Sequence, residues 1–150
     1  MHFEDRAVET ARIVQQADVT SIAQERHWIT AFAAARGMAG TRQAELAMAV
    51  SEAVTNVVRH AYGEGETGEI ILDVAADDEW LTAQITDHGC GAGESTSLGL
   101  GLPLMTELAE RIEFGAPRDG VGTIVLMEFP LSAAAGPAHA ELLKLSAATG

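Results

Sequence analysis

Three polar side chains stand four residues apart in a segment that otherwise has the apolar spacing of a helix. Glu52, Asn56 and His60 share one face of a helix predicted from Thr41 to Tyr62, because side chains at i and i+4 lie above one another. A carboxylate, an amide oxygen and an imidazole are costly to bury unless a ligand or metal satisfies them. Asn56 can ligate a metal and Glu52 can act as a base. The alternative is a solvated helix face.

A second candidate lies where the predicted strand Trp80–Asp87 runs into Gly89 and Gly91. The alternation of apolar residues along the strand places Asp87 on its core-facing row. A carboxylate there can accept a hydrogen bond from an exocyclic amine, and glycine lets the backbone approach a flat ring. An Asp-x-Gly turn that only ends the strand explains the same residues equally well.

Two further glycine motifs follow downstream. Gly99 and Gly101 precede a helix predicted over Leu102–Glu110, so free backbone N–H groups and the helix dipole would favour an anion there. Capping and flexibility alone explain such a pair equally well. Gly122 and Thr123 open the last predicted strand, and alternation puts the Thr123 hydroxyl on the core face, where it could support Asp87. By itself this is an ordinary strand start.

Taken in this order, the four segments resemble the N, G1, G2 and GT boxes of the GHKL ATPase superfamily. That superfamily includes gyrase, heat-shock chaperones, histidine kinases and mismatch-repair proteins. The stretch from Ser51 to Tyr62 is similar to the anti-sigma-factor serine/threonine kinases of bacterial partner-switching systems. The resemblance covers roughly residues 6–130. The segment from Ser97 to Pro103 also resembles the switch kinases of stress-signalling pathways.

The resemblance implies an ATP site with residues from each motif. Asn56 would bind Mg²⁺, Asp87 would bind the adenine amino group, and Glu52 would activate the acceptor serine hydroxyl. Arg59 and His60 would lie near the phosphates. The other residues of the implied site shape the nucleotide loop or support the adenine end: Gly89, Gly91, Gly99, Leu100, Gly101, Leu102 and Thr123. Phosphoryl transfer needs mainly positioning and charge neutralisation, which this set can supply.

The segment between Gly91 and Gly99 departs from the family pattern. Relatives usually have a longer lid there, and many kinases of the group carry a cation near the second glycine box. This chain has Ser95-Thr96-Ser97 at that place. Charge on the transferred phosphoryl group would then be met by Mg²⁺, the backbone and Arg59.

Three functions therefore remain in competition. The first is an ATP-dependent protein serine/threonine kinase that sequesters a sigma factor and phosphorylates a STAS-type antagonist, with a stress-pathway switch kinase as a close variant. The second is a non-catalytic module in which nucleotide only sets partner affinity. The third, a stand-alone catalytic piece of a histidine kinase, is disfavoured because no helical hairpin with a phospho-accepting histidine precedes residue 41. The resemblance also implies a homodimer through a sheet face.

Composition limits the partners that the chain can have. The 150 residues carry a formal net charge of −13 and a pI of about 4.6, which argues against a nucleic-acid or anionic-membrane surface. Cys90 is the only cysteine, so an intrachain disulfide is impossible and a reducing cytoplasm is expected. No apolar run approaches the ~18 residues of a membrane span, and the N-terminus lacks the features of a signal peptide. We therefore expect a cytoplasmic protein that acts through protein partners.

The elements that must position these residues fit an α/β (α+β) two-layer sandwich. The resemblance implies the Bergerat ATP-binding fold, a mixed, mostly antiparallel sheet covered on one face by about three helices. Helices are predicted over Thr20–Arg36, Thr41–Tyr62 and Leu102–Glu110, with Asp18 or Ser21 as the first cap. Strands are predicted over residues 6–14, Glu69–Ala75, Trp80–Asp87, Arg111–Gly115 and Gly122–Leu131. We expect residues 1–131 to form the kinase domain and 132–150 a linker-like tail, in which Ala138–Ala147 could form a short helix or stay disordered.

Overall fold

A strand and a helical hairpin precede four further strands and a third helix in the computed structural model, which describes residues 8–63, 66–89 and 101–133. The strands are β1 (Glu9–Gln16), β2 (Glu69–Ala76), β3 (Trp80–Asp87), β4 (Arg111–Gly115) and β5 (Thr123–Pro130). The helices are α1 (Val19–Ala35), α2 (Gly40–Asn56) and α3 (Gly101–Leu108). A π-helical turn (Val57–Ala61) follows α2. The order of the predicted elements is confirmed.

The five strands form one sheet in the order β1-β2-β3-β5-β4. Every neighbouring pair of these strands is antiparallel, so the two-layer sandwich is confirmed while the expectation of some parallel pairing is not met. After α3 the chain forms β4 at the edge of the sheet, and β5 then returns between β4 and β3. This order places Thr123, the first residue of β5, opposite Asp87, the last residue of β3.

The core lies between one face of the sheet and the helices. Strands β2, β3 and β5 bury alternate residues on that face, as a period of two requires. The apolar stripe predicted for the second helix is buried in full: Leu46, Val50, Ala53, Val57 and Ala61. From α1, Ile29 and Ala33 are buried, and Ile22 and Phe32 pack against the same core.

The beginning of α1 is fixed by a cap that the sequence predicts. Asp18 Oδ1 accepts a hydrogen bond from the Thr20 backbone N–H at 2.8 Å, and the Ser21 hydroxyl accepts from the Asp18 backbone N–H at 3.4 Å. The bond to Thr20 satisfies a donor that the first helical turn would otherwise leave unpaired, and the two bonds together form a capping box. The cap sets the direction of α1 as it leaves β1.

Two element boundaries differ from the prediction. The first strand is shifted from residues 6–14, since β1 runs to Gln16, which pairs with the first residue of β2. β1 alternates weakly in sequence because it is an edge strand whose inner row is only half-buried. α3 ends at Leu108 rather than Glu110, because the Glu110 backbone N–H already donates to the carbonyl of Glu128 in the sheet at 2.9 Å.

The prediction of a regular helix from Thr41 to Tyr62 is wrong at its end. α2 is α-helical only to Asn56, and Val57–Ala61 form a π-helical turn before Tyr62 becomes extended, with φ −117° and ψ 143°. The wider turn changes the direction in which His60 projects relative to Asn56. Single π turns of this kind occur often at functional sites.

The tail falls outside the described residues, and with it the helix predicted over Ala138–Ala147. The division of the chain into residues 1–131 and 132–150 therefore stays a prediction. Within residues 8–63, 66–89 and 101–133, no helix is long and apolar enough to cross a membrane.

Candidate nucleotide site

An open pocket lies where the end of α2 and its π turn pass over β3, β5 and α3. The residues that line it come from all five of these segments: Ala53, Asn56, Val57, His60, Ala61, Ile85, Asp87, Met105, Thr123 and Val125. Most of them are apolar, and the four polar ones belong to the set predicted from the sequence. The fold thus brings together residues that are up to about 70 positions apart in the chain.

The polar residues divide between two sources. Asn56 and His60 come from the end of α2 and the π turn, while Asp87 and Thr123 face each other across the β3–β5 pairing. The apolar side chains supply the walls of the pocket. Apolar walls with a few convergent polar groups are the composition of a small-ligand site, and the described residues enclose a cavity of about 50 Å³ there.

Asp87 is a buried carboxylate with only 4% of its surface exposed. The backbone N–H of Gly89 donates to its Oδ1 at 3.0 Å. Burial raises the pKa of the Asp87 carboxyl above its ordinary value, while hydrogen bonds from the backbone N–H groups of Gly89 and Thr123 act in the opposite direction. These bonds orient the carboxyl group and leave it able to accept a hydrogen bond from a ligand amine.

Two glycines let the backbone close around Asp87. A Cβ added at Gly89 would lie 1.8 Å from the carbonyl oxygen of Ala61, and one added at Gly122 would lie 2.0 Å from the carbonyl oxygen of Asp87. Gly122 also has a φ of +111°, which favours glycine. Close packing of the π turn on the loop after β3 therefore explains the Asp-x-Gly sequence beyond a simple turn.

The remaining predicted residues lie outside this lining. Glu52 is half-buried on α2, one turn before Asn56, and Arg59 is exposed on the π turn. Gly101 and Leu102 are the first residues of α3. The other residues assigned to the nucleotide loop lie outside the described parts of the chain, as does the lid segment: Gly91, Gly99, Leu100 and Ser95–Ser97.

Sequence patterns alone do not identify the apolar walls of the pocket or the side chain of Tyr62 beside it. Ile85 and Met105 are wall residues whose signal was present in the strand and helix periodicities, but periodicity marks burial without separating a wall from the core. The Tyr62 hydroxyl hydrogen-bonds to Glu69, the first residue of β2, and to His88, which directly follows β3. Only its place in the His60-Ala61-Tyr62 sequence could have drawn attention to it.

The donor set fits an adenine nucleotide with a divalent cation. The buried Asp87 carboxyl suits an exocyclic amine, and the apolar walls suit a flat ring. Among the described residues, no three His, Cys, Asp or Glu side chains converge. A Mg²⁺ ion bound here by Asn56 would therefore take its other ligands from nucleotide phosphates and water, as Mg²⁺ usually does at such sites.

The antiparallel sheet, its helical layer and the pocket beneath the end of α2 are those of a GHKL-type ATPase domain. The family described as histidine kinase-like ATPase domain matches residues 15–129, and the chain belongs to that family. The predicted GHKL membership is thereby confirmed.

Two proteins of the RsbW group are similar to this chain. Serine-protein kinase RsbW of Oceanobacillus iheyensis is 42% identical over 45 residues, which are 30% of this chain and 28% of that protein. The crystal structure of the RsbU and RsbW domains of Rv1364c from Mycobacterium tuberculosis is similar with a TM-score of 0.67 and 22% identity, over 82% of this chain and 32% of the other. The chain thus spans about a third or less of the length of these two proteins. At that identity the solved structure supports the fold alone.

Proposed function

We propose that this chain is an ATP-dependent protein serine/threonine kinase that phosphorylates a STAS-type antagonist and sequesters a sigma factor. The observation that carries the proposal is the pocket in which Asp87 and Thr123 meet Asn56 and His60 between apolar walls. A serine-protein kinase among the similar proteins supports the same activity. The proposed setting is the cytoplasm, where ATP and both partners are available.

Each polar residue has a distinct role in this proposal. Asp87 accepts a hydrogen bond from the adenine amine, Asn56 offers an oxygen to Mg²⁺, and His60 faces the phosphate end. When bound, Mg²⁺ neutralises charge on the phosphates. Glu52 accepts the proton of the acceptor serine hydroxyl as that oxygen attacks the γ-phosphorus and ADP leaves. Its place one turn before Asn56 suits a group that acts at the phosphates.

The proposed partners follow from charge and from the shape of the sheet. A net charge of −13 disfavours a direct contact with DNA, so control of transcription would work by masking a DNA-binding protein. The outer face of the sheet carries no helix among the described elements. It is the surface through which we propose that a homodimer forms.

A non-catalytic nucleotide-dependent module is the second candidate. The segment from Ala92 to Leu98 favours it, because this stretch is short and contains no lysine or arginine. Without a cation there, charge on the transferred group has fewer counter-charges. In such a module, nucleotide would set partner affinity and no phosphate would be transferred.

Transfer of the γ-phosphoryl group from labelled ATP to a STAS-type antagonist separates the two candidates. We expect the wild type to transfer it, and Glu52→Gln to transfer it about a hundredfold more slowly with nearly unchanged Mg-ADP affinity, because only the base is lost. Glu79→Gln, at an exposed turn residue, serves as the matched control and should transfer at the wild-type rate. A wild type that binds Mg-ADP but transfers nothing to any such antagonist would leave the non-catalytic module.

A further inference from the structure

Tyr62 is the first extended residue after the π turn, and its hydroxyl reaches two backbone segments beside the pocket. The hydroxyl donates to the carbonyl oxygen of Glu69 at 2.8 Å. It also accepts a hydrogen bond from the backbone N–H of His88 at 2.9 Å. These bonds tie the beginning of β2 to the residue that follows β3.

The hydroxyl stands where the β2–β3 ladder would otherwise continue. The last pair of the ladder is Ile70 with Asp87, so one more step in the same antiparallel register would place Glu69 opposite His88. The carbonyl of Glu69 and the N–H of His88 both bond to the tyrosine oxygen instead. Tyr62 therefore ends the ladder and keeps the chain after β3 apart from β2.

The position of the hydroxyl is fixed by packing of the ring. A Cβ added at Gly68 would lie 2.1 Å from the Cε1 and Cζ atoms of Tyr62, so glycine is needed beneath the ring. Burial raises the pKa of the Tyr62 hydroxyl above its ordinary value of 10.0. The hydroxyl therefore remains protonated at neutral pH and can donate to Glu69 while accepting from His88.

His88 lies between Asp87, which carries the carboxyl group of the pocket, and Gly89, whose backbone N–H orients that group. Asp87 precedes it, and Gly89 follows it with a backbone N–H that donates to the Asp87 carboxyl. Gly89 in turn lies against the carbonyl of Ala61. The hydrogen bond from His88 to Tyr62 thus holds the backbone between Asp87 and Gly89, and the π turn packs against Gly89.

We propose that Tyr62 is a positioning residue for base recognition, whose hydroxyl bridge between Glu69 and His88 holds the Asp87 carboxyl in the orientation that binds the adenine amine. The inference rests on the proposed function, because it takes an adenine nucleotide as the ligand of the pocket. Without the hydroxyl, Glu69 and His88 are free to pair directly. The loop after β3 would then move towards β2 and turn the carboxyl away from its productive geometry.

Tyr62→Phe tests this because it keeps the ring over Gly68 and removes only the bridge. By calorimetric titration with Mg-ADP, we expect its affinity to fall about tenfold, the size of one well-formed hydrogen bond. In an Asp87→Asn background, Tyr62→Phe should lower the Mg-ADP affinity by less than twofold, because Tyr62 acts through Asp87. Thr82→Val, which removes a hydroxyl from the outer face of β3, is the control and should leave the affinity unchanged.

Amide spectra of the nucleotide-free protein test the bridge itself without reference to ligand binding. Tyr62→Phe should shift the His88 and Gly89 amide signals strongly and leave that of Thr82 in place. Unchanged His88 and Gly89 signals would overturn the proposal. So would an equal loss of Mg-ADP affinity in the wild-type and Asp87→Asn backgrounds, or unchanged affinity in Tyr62→Phe beside a wild type that binds. A wild type that does not bind Mg-ADP would refute the proposed function first and this inference with it.

Discussion

Asp87 and Glu25 are both buried carboxylates, yet their surroundings differ. Asp87 receives backbone N–H groups and faces the pocket. Glu25 lies on the buried face of α1 with 0% of its surface exposed, and neither of its oxygens has a hydrogen-bond partner among the described residues. Burial raises the pKa of Glu25 from 4.5 to about 8. The Asp87 carboxyl group therefore suits a ligand, while burial of Glu25 without a partner in the described part of the chain disfavours its ionised form.

The pKa of Glu25 gives stability a defined pH dependence. The unfolded chain loses this proton near pH 4.5, whereas the folded chain keeps it until about pH 8. The protonated Glu25 carboxyl therefore contributes stability, relative to its ionised form, that is fully present below the pKa of the unfolded chain. This stability is lost as the pH rises through the pKa of the folded chain. Between these values the free energy of unfolding falls by about 1.4 kcal/mol per pH unit. Above the folded pKa the loss is complete.

Glu25→Gln should remove this pH dependence. We expect the variant to be more stable than the wild type at pH 8 by about 2–4 kcal/mol, with the difference shrinking towards pH 5. Urea unfolding at the two pH values measures it. Glu107→Gln, at an exposed position on α3, should follow the wild-type dependence. A Glu25→Gln difference that is the same at both pH values would show that ionisation of Glu25 is not linked to folding.

At the scale of elements, the site depends on how closely the π turn and the loop after β3 approach each other. A methyl group at Gly89 would meet the Ala61 carbonyl oxygen, which belongs to the backbone and cannot move by a side-chain rotation. Gly89→Ala should therefore weaken Mg-ADP binding at least tenfold, measured by calorimetry at a temperature well below its unfolding midpoint. Gly115→Ala is the matched control, since nothing lies within 4 Å of its added Cβ. Wild-type affinity in Gly89→Ala would show that the close approach is dispensable.

Most elements follow from periodicity, but their junctions do not. The apolar stripe from Leu46 to Ala61 predicts the buried face of the second helix, because a helix that packs on one side must repeat its apolar residues. The π turn leaves that stripe almost unchanged, so the sequence does not distinguish it from α-helix. Its last residue, Ala61, packs against Gly89, which lies far along the chain.

The candidate site was predictable to the same extent. Asn56 and His60 are predictable from a polar column on the second helix, and Asp87 and Thr123 from polar residues on core-facing rows of two strands, which need a reason to be there. The bridge from Tyr62 to Glu69 and His88 was not, since it joins three segments that only the sheet register brings together. Local patterns carry no information about such a contact.

At the scale of the whole molecule, the net charge of −13 constrains how partners exchange. An acidic protein gains encounter rate with a partner whose surface is positive, and salt screens that attraction. In the proposed function, phosphorylation of the antagonist would add about −2 charge to it and repel it from this acidic protein. The same reaction that marks the antagonist would therefore release it.

Partner exchange should thus respond to salt and to charge on the antagonist. We expect the affinity for a sigma factor to fall as NaCl rises from 50 to ~300 mM. A phosphomimetic antagonist should bind at least tenfold more weakly than the unmodified form. Surface plasmon resonance at one salt concentration measures the two affinities. An antagonist with the same substitution at a site away from the interface is the control. Equal affinity of the two forms would rule out switching by charge.

The most direct test of the account is a calorimetric titration of the wild type with Mg-ADP and Mg-GDP, repeated with Asp87→Asn. The wild type should bind ADP and prefer it to GDP at least tenfold, because GDP offers a carbonyl where Asp87 requires a donor. Asp87→Asn should lose about 2–3 kcal/mol of ADP affinity, since its amide turns a donor towards the adenine amine. Asp73→Asn on the outer face of the sheet should bind as the wild type does. Equal ADP affinity in the wild type and Asp87→Asn, or no preference for adenine, would contradict the assignment of this pocket as the ATP site.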